Sequence, residues 1–518
     1  MPSSIELIRS TASLLVPEII LLATACVLFL VGPFLVSDTG ESSPGLRHRW
    51  GVLSLIGLGV AWFAWLQHGT ATMEGTLFRI DALAWYARLL SLSAGVLLVL
   101  LLWDQIDDNH SAEAYACLLT ILAGTSLVAA ANDLVTLFLS LELVSIPTYV
   151  ILYLPRRDQR TSEAALKYFL LSIFSSALVL YGMSWLYGVA GTTNLAGIRD
   201  VLSTPTRPPH AGEGMLEIAF ALLLAGLCFR ITAVPFHFYA PDVFQGTTAA
   251  NAAMLSVVPK VVGFVALIRL IPLSGATEGW GNWVPDHSDM LLLAVLAVIT
   301  MFVGNLMALR QRHLYRLMAY SSIAHAGYML IGLTVGDTMP VNGREAVLFY
   351  LAVYGLMTVG VFALLSAVGN KVNGEGGRGK GDVGFSSMLP APCTTLDDIR
   401  GLSRSLPSVA LLLAICLFSL TGLPPTAGFL GKLNLFFAAW SNNSNIGYGL
   451  AIILAVNAAI SAWYYLRIVA LMYLEPAASD EESGPRRIVL APWLAGAVCA
   501  IVTIVIFFAP QWLWSSLR

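Results

Sequence analysis

Long apolar runs separated by short polar segments follow one another along the whole chain. Fourteen of them approach or exceed the length of about 20 residues that a helix needs to cross the hydrocarbon core of a bilayer. They are residues 17–36, 51–67, 81–103, 114–131, 134–154, 164–188, 215–238, 248–272, 289–309, 314–334, 345–368, 406–438, 446–474 and 488–514. The pattern predicts an all-α polytopic membrane protein with about 14 transmembrane helices.

Composition agrees with this class. Of 518 residues, 57% are hydrophobic and 11% are charged, whereas soluble domains carry about 25% charged residues. The run 17–36 is longer than a signal-peptide core and no small-residue cleavage site clearly follows it, so we expect a retained first helix. The six cysteines stand singly, without a C-x-x-C pair, which indicates neither a disulfide framework nor a metal cluster.

Lysine and arginine are distributed unevenly between the loops. The odd-numbered loops hold fifteen, namely Arg47, Arg49, Arg156, Arg157, Arg160, Arg310, Arg312, Arg316, Lys371, Arg378, Lys380, Arg400, Arg404, Arg486 and Arg487. The even-numbered loops hold four, namely Arg79, Arg199, Arg207 and Arg344. The positive-inside rule therefore predicts that the odd loops are cytoplasmic and that both termini lie on the outer side.

Two pairs of short segments indicate an internal repeat. EAALKY at 163–168 matches EAVLFY at 345–350, 182 residues later, and the Thr-x-x-Pro segment 232–235 matches 421–424, 189 residues later. The members of each pair are five predicted helices apart, an odd number, so the repeats would have opposite topology. Inverted repeats with a broken helix at corresponding positions are typical of transporters whose site lies near the midplane.

The repeat divides the chain into four parts. Residues 1–113 hold three N-terminal helices, 114–272 the first five-helix repeat, 289–474 the second, and 488–518 the last helix. Inside the second repeat, the segment 371–405 is rich in glycine and charge and is predicted to be a flexible, solvated loop.

Four charged residues lie inside apolar runs: Glu142, Arg230, Lys260 and Lys432. A charge at the centre of a membrane helix costs about 2.5–3.5 kcal/mol on insertion scales. Four such residues indicate an ion pathway. Desolvation disfavours the charged form of a buried lysine, so Lys260 and Lys432 are candidate proton carriers; the alternative is that they snorkel to the interface. Arg269, near a helix end, is predicted to be an interfacial anchor.

Prolines interrupt two of the runs, at Pro235 and at Pro424–Pro425. Proline removes an amide donor and leaves carbonyls without a helical partner, so a broken helix survives in a membrane where it lines protein or water. A simple packing kink is the alternative interpretation.

Glu142 needs a cationic partner to remain ionised in an apolar environment. Arg230 and Lys167 are the candidates, although Lys167 lies one helical turn from Glu163 and could pair with it instead. His237 and His325 are candidate proton shuttles because histidine titrates near neutral pH. Purely structural histidines are the competing interpretation, and haem ligation is disfavoured because the two lie on distant helices without companions.

Several motifs in order resemble one protein family. They are LSLEL at 139–143, RITAVPFHFYAPDVFQG at 230–246, SVVPK at 256–260, GNLMALR at 304–310, AYSSIAHAGY at 319–328 and LPPTAGFLGK at 423–432. This set is similar to subunit N of bacterial respiratory complex I, the NADH:quinone oxidoreductase. Related sodium/proton antiporter subunits usually carry Leu-Pro-x-Ala-His where this chain reads YAPDVF at 239–244, which favours subunit N.

The resemblance implies a fold of fourteen helices with two inverted five-helix repeats. It implies a proton-translocating subunit of an enzyme complex, in which Glu142, Arg230, Lys260 and Lys432 form a central polar axis. His237 and His325 are assigned to the same axis. It further implies a multi-pass protein of the bacterial plasma membrane that contacts an antiporter-like subunit M and small subunits of the K and J type, and binds no nucleic acid. NADH, FMN, iron–sulfur clusters and quinone are expected in partner subunits, with no cofactor or metal in this chain.

Three features depart from the family. Arg230 stands where the family usually has lysine, 247–251 lacks the usual Pro-Thr-Pro stretch, and the loop 371–400 is longer than expected. Because a guanidinium effectively never loses its proton in proteins, Arg230 is predicted to be a fixed counter-charge to Glu142 and not a carrier. A sodium/proton antiporter subunit and a purely structural membrane subunit are the alternative functions.

Overall fold

The structure is a computed structural model that describes residues 11–35, 45–67, 69–70, 77–154, 159–203, 213–273, 287–337, 341–369, 394–476 and 487–516. Helices account for nearly all of these residues. They are α1 (Val16–Val31), α2 (Leu46–Gln67), α3 (Ala82–Leu102), α4 (Ser111–Ala130), α5 (Leu134–Tyr153), α6 (Gln159–Ala190), α7 (Leu195–Ser203), α8 (Glu213–Arg230), α9 (Ala240–Gly246), α10 (Ala249–Leu270), α11 (His287–Leu309), α12 (Leu314–Val335), α13 (Gly343–Ala367), α14 (Leu402–Ser405), α15 (Pro407–Thr421), α16 (Ala427–Ser441), α17 (Asn445–Leu474), α18 (Leu490–Phe508) and α19 (Gln511–Ser515).

Eleven helices of the described chain are long and apolar enough to cross a membrane. They are α1 to α6, α10, α11, α13, α17 and α18. A twelfth candidate joins residues 397–405 to α15 through a bend of 119°. Helices α8, α12 and α16 are not among the eleven, and each carries an ionisable residue of the predicted site, respectively Arg230, His325 and Lys432. Helix α16 has only 15 residues and is too short to span by itself. Polar and charged residues make α8 and α12 less apolar than an ordinary membrane span.

Helix α10 lies at the centre of the molecule, and every residue from Ala249 to Leu270 is buried. Its first turn is capped by Thr248, whose hydroxyl accepts a hydrogen bond from the amide of Asn251 at 3.4 Å. Helices α12 and α13 are almost as completely enclosed. By contrast, α1 and α17 keep broad apolar faces exposed, as expected of helices that contact lipid.

Two helices are broken, as the sequence predicts. Helix α8 ends at Arg230 and helical geometry resumes at Ala240, while α15 ends at Thr421 and α16 begins at Ala427. The breaks contain residues with left-handed backbone, Thr232 at φ 58° and Gly422 at φ 86°. Proline alone does not determine where a helix breaks, since α5 and α10 each continue through an internal proline.

The prediction of a flexible loop over 371–405 is wrong for residues 394–405. The amide of Leu314 donates to the carbonyl of Thr394 at 2.7 Å, and that of Gly401 donates to Leu471 at 3.1 Å. The Asp398 carboxylate accepts the amides of Thr394 and Thr395, at 2.8 and 2.7 Å. These local bonds, together with buried leucine and isoleucine side chains in 396–402, fix a segment that composition alone assigns to a linker. Residues 371–393 lie outside the described chain.

A two-residue antiparallel ladder joins β1 (Val368–Gly369) to β2 (Arg487–Ile488). The amide of Val489 also donates to the carbonyl of Ala367 at 3.0 Å. This ladder attaches the start of α18 to the end of α13, so the C-terminal helix packs along the central part of the bundle.

Candidate functional site

Glu142 and Arg230 form an ion pair inside the helical bundle. Glu142 lies in the middle of α5, and Arg230 is the last residue of α8, where the broken helix ends. Arg230 Nη2 is 3.3 Å from Glu142 Oε1, and the two side chains are 5% and 21% exposed. Of the two partners that the sequence leaves open for Glu142, the structure selects Arg230.

Two serine hydroxyls and one backbone carbonyl make further hydrogen bonds to this pair. Arg230 Nη1 donates to Ser145 Oγ at 2.9 Å and to the carbonyl of Leu141 at 3.4 Å, while the hydroxyl of Ser176 donates to Glu142 Oε1. Arg230 Nε is buried and has no hydrogen-bond partner within the described residues. The Glu142 carboxylate is thus held by a guanidinium and by a hydroxyl.

Lys167 does not reach Glu142. Its ammonium lies 2.6 Å from Glu163 and 2.9 Å from Asp242. Asp242 also accepts from Arg316 Nη1 at 2.6 Å, so this charge network connects α6, α9 and α12. Sequence reasoning found only the local Glu163–Lys167 pair, since its other members lie 74 and 75 residues apart.

Lys260 is 1% exposed and lies on the central helix α10. Its ammonium donates to the backbone oxygen and the hydroxyl of Ser322. It also lies 3.4 Å from the hydroxyl of Tyr354 and 4.7 Å from the centre of that ring. No carboxylate lies within ion-pair distance of Lys260 among the residues that the structure describes, so only neutral oxygens and a ring face solvate this ammonium.

The Lys432 side chain binds at the break between α15 and α16. Its ammonium donates to the carbonyls of Leu420 and Thr421, at 2.9 and 2.8 Å, which are the last residues of α15. A helix C-terminus carries partial negative charge and stabilises a cation. Gly422 permits this contact, since a Cβ at that position would lie 2.9 Å from Lys432 Cδ and would also oppose the left-handed φ of 86°.

His325 is completely buried on α12, and both ring nitrogens have hydroxyl partners. Nδ1 lies 2.7 Å from the Tyr350 hydroxyl and Nε2 lies 3.1 Å from the Tyr465 hydroxyl. The Tyr465 hydroxyl in turn hydrogen-bonds to Ser321. A histidine held at both nitrogens by groups that can donate or accept can take up or release a proton without losing its partners.

Two tyrosines place His325 between the lysines. The ring of Tyr354, which contacts Lys260, is 5.1 Å from the His325 ring, centre to centre. The ring of Tyr328 is 5.4 Å from His325, and Lys432 Nζ lies 5.2 Å from the centre of Tyr328. Three ionisable residues from three helices thus form one contiguous row. Sequence reasoning missed the tyrosines, although Tyr328 stands three residues after His325 in the quoted motif.

Two asparagine side chains position Tyr328, the tyrosine between His325 and Lys432. Asn305 Nδ2 donates to the Tyr328 hydroxyl at 3.0 Å and to Asn457 Oδ1 at 2.9 Å, and Asn305 Oδ1 accepts from Tyr464 at 3.0 Å. All four residues are fully buried. The orientation of Tyr328 above Lys432 is therefore fixed from helices α11 and α17.

His237 lies apart from the row. It is half-buried in the irregular segment between α8 and α9, and its Nδ1 has no hydrogen-bond partner within the described residues. Its side chain makes no hydrogen bond to Glu142, Arg230 or Lys260 in that part of the chain. The structure brings His325 into the site and leaves His237 at its edge.

The two parts of the site meet at Gly263, one turn after Lys260 on α10. A Cβ at Gly263 would lie 2.5 Å from Ile231 Cγ2 and 3.3 Å from Arg230 Cβ. The absence of a side chain therefore lets the end of α8 approach the helix that carries Lys260.

Two further buried arginines lie away from the row. Arg88 on α3 pairs with Glu18 on α1 at 2.7 Å, with both side chains almost fully buried. Arg269, predicted as an interfacial anchor, is 1% exposed and donates to Asp81 at 2.6 Å and to the carbonyl of Ala129 at 3.0 Å. The interfacial prediction is wrong because Asp81, distant in sequence, lies where its charge offsets the cost of burying Arg269.

Apolar helices around a row of buried ionisable side chains define a polytopic membrane protein with an internal polar axis. Residues 131–460, which include both broken helices, match the family described as NADH:quinone oxidoreductase/Mrp antiporter, TM. The chain belongs to this family, and its curated relatives place it with the subunits N of NADH-quinone oxidoreductases.

The similarity to these relatives extends over nearly the whole chain. The NADH-quinone oxidoreductase subunit N of Trichlorobacter lovleyi is 37% identical over 511 residues, 96% of each chain. That of Desulfovibrio desulfuricans is also 37% identical, over 93% of each chain. A chain of respiratory complex I from Thermus thermophilus, solved with bound aureothin, has 28% identity and a TM-score of 0.76, covering 97% of this chain and 99% of that one.

Proposed function

We propose that this chain translocates protons across the membrane as a subunit of a NADH:quinone oxidoreductase. The observation that carries the proposal is the contiguous row of Lys260, His325 and Lys432, buried on three different helices and joined by tyrosine side chains. Ionisable residues at membrane depth are costly and mark ion pathways. The names of the curated relatives support coupling to a redox enzyme complex.

Glu142 is the switch in this proposal, and Arg230 sets its state. With the 3.3 Å pair closed, Glu142 remains ionised because the guanidinium stays charged. Separation of the pair removes the counter-charge, so Glu142 binds a proton; closure expels it again. Arg230 itself carries no proton.

Lys260, His325 and Lys432 carry the proton along the row. Lys260 begins the row, where its ammonium contacts only neutral oxygens and the ring of Tyr354 within the described residues. His325 receives the proton on one ring nitrogen while a tyrosine hydroxyl holds each side of the ring. Lys432 is the terminal acceptor, stabilised by the carbonyls at the end of α15. His237, at the edge of the site, passes protons between Glu142 and Lys260 through water.

The proposed architecture has fourteen spans. Beyond the eleven apolar helices, α8 with α9, α12, and α15 with α16 each provide one. The two breaks then occupy corresponding positions in two inverted five-helix repeats, 114–272 and 289–474, flanked by 1–113 and 488–518. Both termini lie on the outer side, in accordance with the excess of lysine and arginine in the odd loops.

The proposed partners are an antiporter-like subunit M and small subunits of the K and J type, in the bacterial plasma membrane. NADH, FMN, iron–sulfur clusters and quinone belong to other subunits of the complex. In this arrangement the present chain supplies the proton path and its partners supply the electron transfer that drives it.

A sodium/proton antiporter subunit is the second candidate function, because the matched family includes Mrp antiporters. The curated relatives named as subunit N favour the redox complex. Sodium dependence of proton flux distinguishes the two candidates.

The test uses inverted membrane vesicles in which the chain remains in its native complex. NADH addition should acidify the vesicles, and Lys260→Ala should abolish most of this acidification while the complex stays assembled. Gentle detergent purification should recover flavin-containing, NADH-oxidising partners. Normal acidification by an assembled Lys260→Ala complex would overturn the proton path, and a sodium requirement without NADH-oxidising partners would establish the antiporter.

A further inference from the structure

A cavity of about 440 Å³ lies between the central helices of the molecule and its N- and C-terminal helices. One wall consists of central helices α10 and α13, with Val261 and Gly355 among its residues. The opposite wall consists of α3 and α18, with Leu90 and Val502. The central wall lies within the matched family segment 131–460, whereas the outer wall lies outside it.

The cavity lies at the depth of the hydrocarbon core. Most of its lining residues fall at 89–97 of α3, 257–261 of α10, 351–359 of α13 and 498–506 of α18, and Trp62 of α2 and Leu513 of α19 complete the lining. These positions are near the middle of α10 and α13 and within the long apolar helices of the bundle. Lipid headgroups and bulk water do not extend to this depth.

The lining of the cavity is apolar. Ser93 and the indole of Trp62 supply the only polar side-chain atoms among the lining residues. A buried water needs two to four polar partners, and cavities lined by aliphatic side chains stay dry. A lining of this kind suits hydrocarbon and disfavours water.

One side of the cavity reaches the lipid-facing surface of α18. Val498 is 40% exposed, and Val502 next along the helix face is partly exposed. At the inner end, Val257 is 6% exposed and Leu351 is 1% exposed. The cavity thus extends from the exposed surface of α18 to the central helix α10.

We propose that one acyl chain of a bilayer phospholipid enters beside α18, fills this cavity and ends against Val257 and Val261. These two valines flank Lys260 on α10, and Gly355 follows Tyr354, whose ring contacts Lys260. The acyl chain supports the turn of helix that carries Lys260 from its apolar side. This lipid site is independent of the proposed function, since it rests on shape, depth and lining alone.

The test is photolabelling in native membranes containing a phospholipid with a diazirine in the middle of one acyl chain. Label is expected on the inner peptides around 257–261 and 351–359, as well as on the outer surface. Val502→Phe places a ring in the cavity and should remove the inner label. Ile501→Phe is the matched control, because Ile501 is 57% exposed, lies next to Val502 and does not line the cavity.

Ala94→Leu fills the same space from α3 and should also remove the inner label, which covers the case that Val502→Phe does not fold. Label confined to outward residues such as Ile501 in the unmodified chain overturns the proposal. So does inner label from a photoreactive quinone analogue but not from the phospholipid, or crosslinking of the inner residues to a neighbouring subunit.

Discussion

Glu142 Oε1 receives the guanidinium of Arg230 at 3.3 Å and, from the other side, the hydroxyl of Ser176. Arg230 also binds Ser145 on the same helix as Glu142, so the guanidinium bridges α5 and α8. The pair is thus bonded firmly at the arginine and left partly accessible at the carboxylate, which is 21% exposed.

Replacement of Arg230 tests its role as a fixed charge. Arg230→Ala removes the counter-charge, so Glu142 should remain protonated and NADH-driven proton uptake into inverted vesicles should be largely lost. Arg230→Lys keeps a cation but loses the second donor to Ser145, and should retain part of the uptake. Arg400→Ala is the control, since Arg400 is 44% exposed and lies outside the site. Unchanged uptake in an assembled Arg230→Ala complex contradicts the counter-charge role.

Gly422 determines whether Lys432 can reach the end of α15. Gly422→Ala adds a Cβ 2.9 Å from Lys432 Cδ and imposes an unfavourable left-handed φ, a strain of about 1–2 kcal/mol. Proton uptake should fall while NADH oxidation with an artificial electron acceptor is unchanged. Gly449→Ala is a matched control, because a Cβ there meets open space in the described chain. Equal uptake by the two variants would contradict the prediction.

The Tyr465 hydroxyl is expected to hold His325 in its working orientation. Tyr465→Phe leaves buried Nε2 without that partner, and an unsatisfied buried polar group costs about 1–3 kcal/mol. The complex should be less stable to heat and its proton uptake should show an altered pH profile, which a purely structural defect would not produce. Tyr181→Phe, at a 54% exposed position, should leave both stability and pH profile unchanged.

The sequence predicted the ionisable members of the row because charged residues stand out in apolar runs. It also predicted both broken helices from Pro235 and Pro424. Burial and charge alone left both Arg230 and Lys167 as candidate partners of Glu142. The hypothesis that Arg230 is the fixed counter-charge came from the arginine at that position, and the structure shows this pair. The tyrosines around His325 could not be predicted as part of the site either. Tyrosine is common in membrane helices, and only its neighbours in the fold give it a role.

For Arg269 and the segment 394–405, local composition led to predictions that the structure contradicts. Each was assigned by local composition, as an interfacial anchor and as a flexible loop. Asp81, far from Arg269 in sequence, makes burial of that arginine favourable, and contacts with Leu314 and Leu471 order the segment. In both cases, contacts with residues distant in sequence determine the structure, and local composition does not.

Close approach at Gly263 is expected to couple the Glu142 pair to Lys260. Gly263→Ala places a methyl group against Ile231 Cγ2 and should push α8 away from α10. Proton uptake should decrease although every ionisable residue of the row is retained. Gly188→Ala on α6 is the control, as a Cβ there meets nothing in the described residues. If Gly263→Ala pumps normally, coupling does not pass through this contact.

Asp81 and Arg269 provide a test of stability that is separate from transport. Asp81 caps α3, outside the membrane span, and accepts Arg269 Nη2 at 2.6 Å. Burial raises the pKa of Asp81, but the charge and hydrogen bonds of Arg269 oppose it, and the net pKa is below its usual range. Because the folded pKa is depressed, the stabilisation is complete above the unfolded pKa of about 3.9 and is lost as pH falls through the folded value.

Asp81→Asn should therefore lower the free energy of unfolding in detergent by about 3 kcal/mol at pH 7, the lower end for a broken buried pair, since Asp81 keeps 20% exposure. The difference from the unmodified chain should stay constant from neutral pH down to about pH 4 and shrink in stronger acid. Asp397→Asn removes a carboxylate that is 72% exposed and should change stability little at any pH. A penalty for Asp81→Asn that already varies between pH 8 and pH 5 contradicts a depressed pKa, because Asp81 would then titrate in that range.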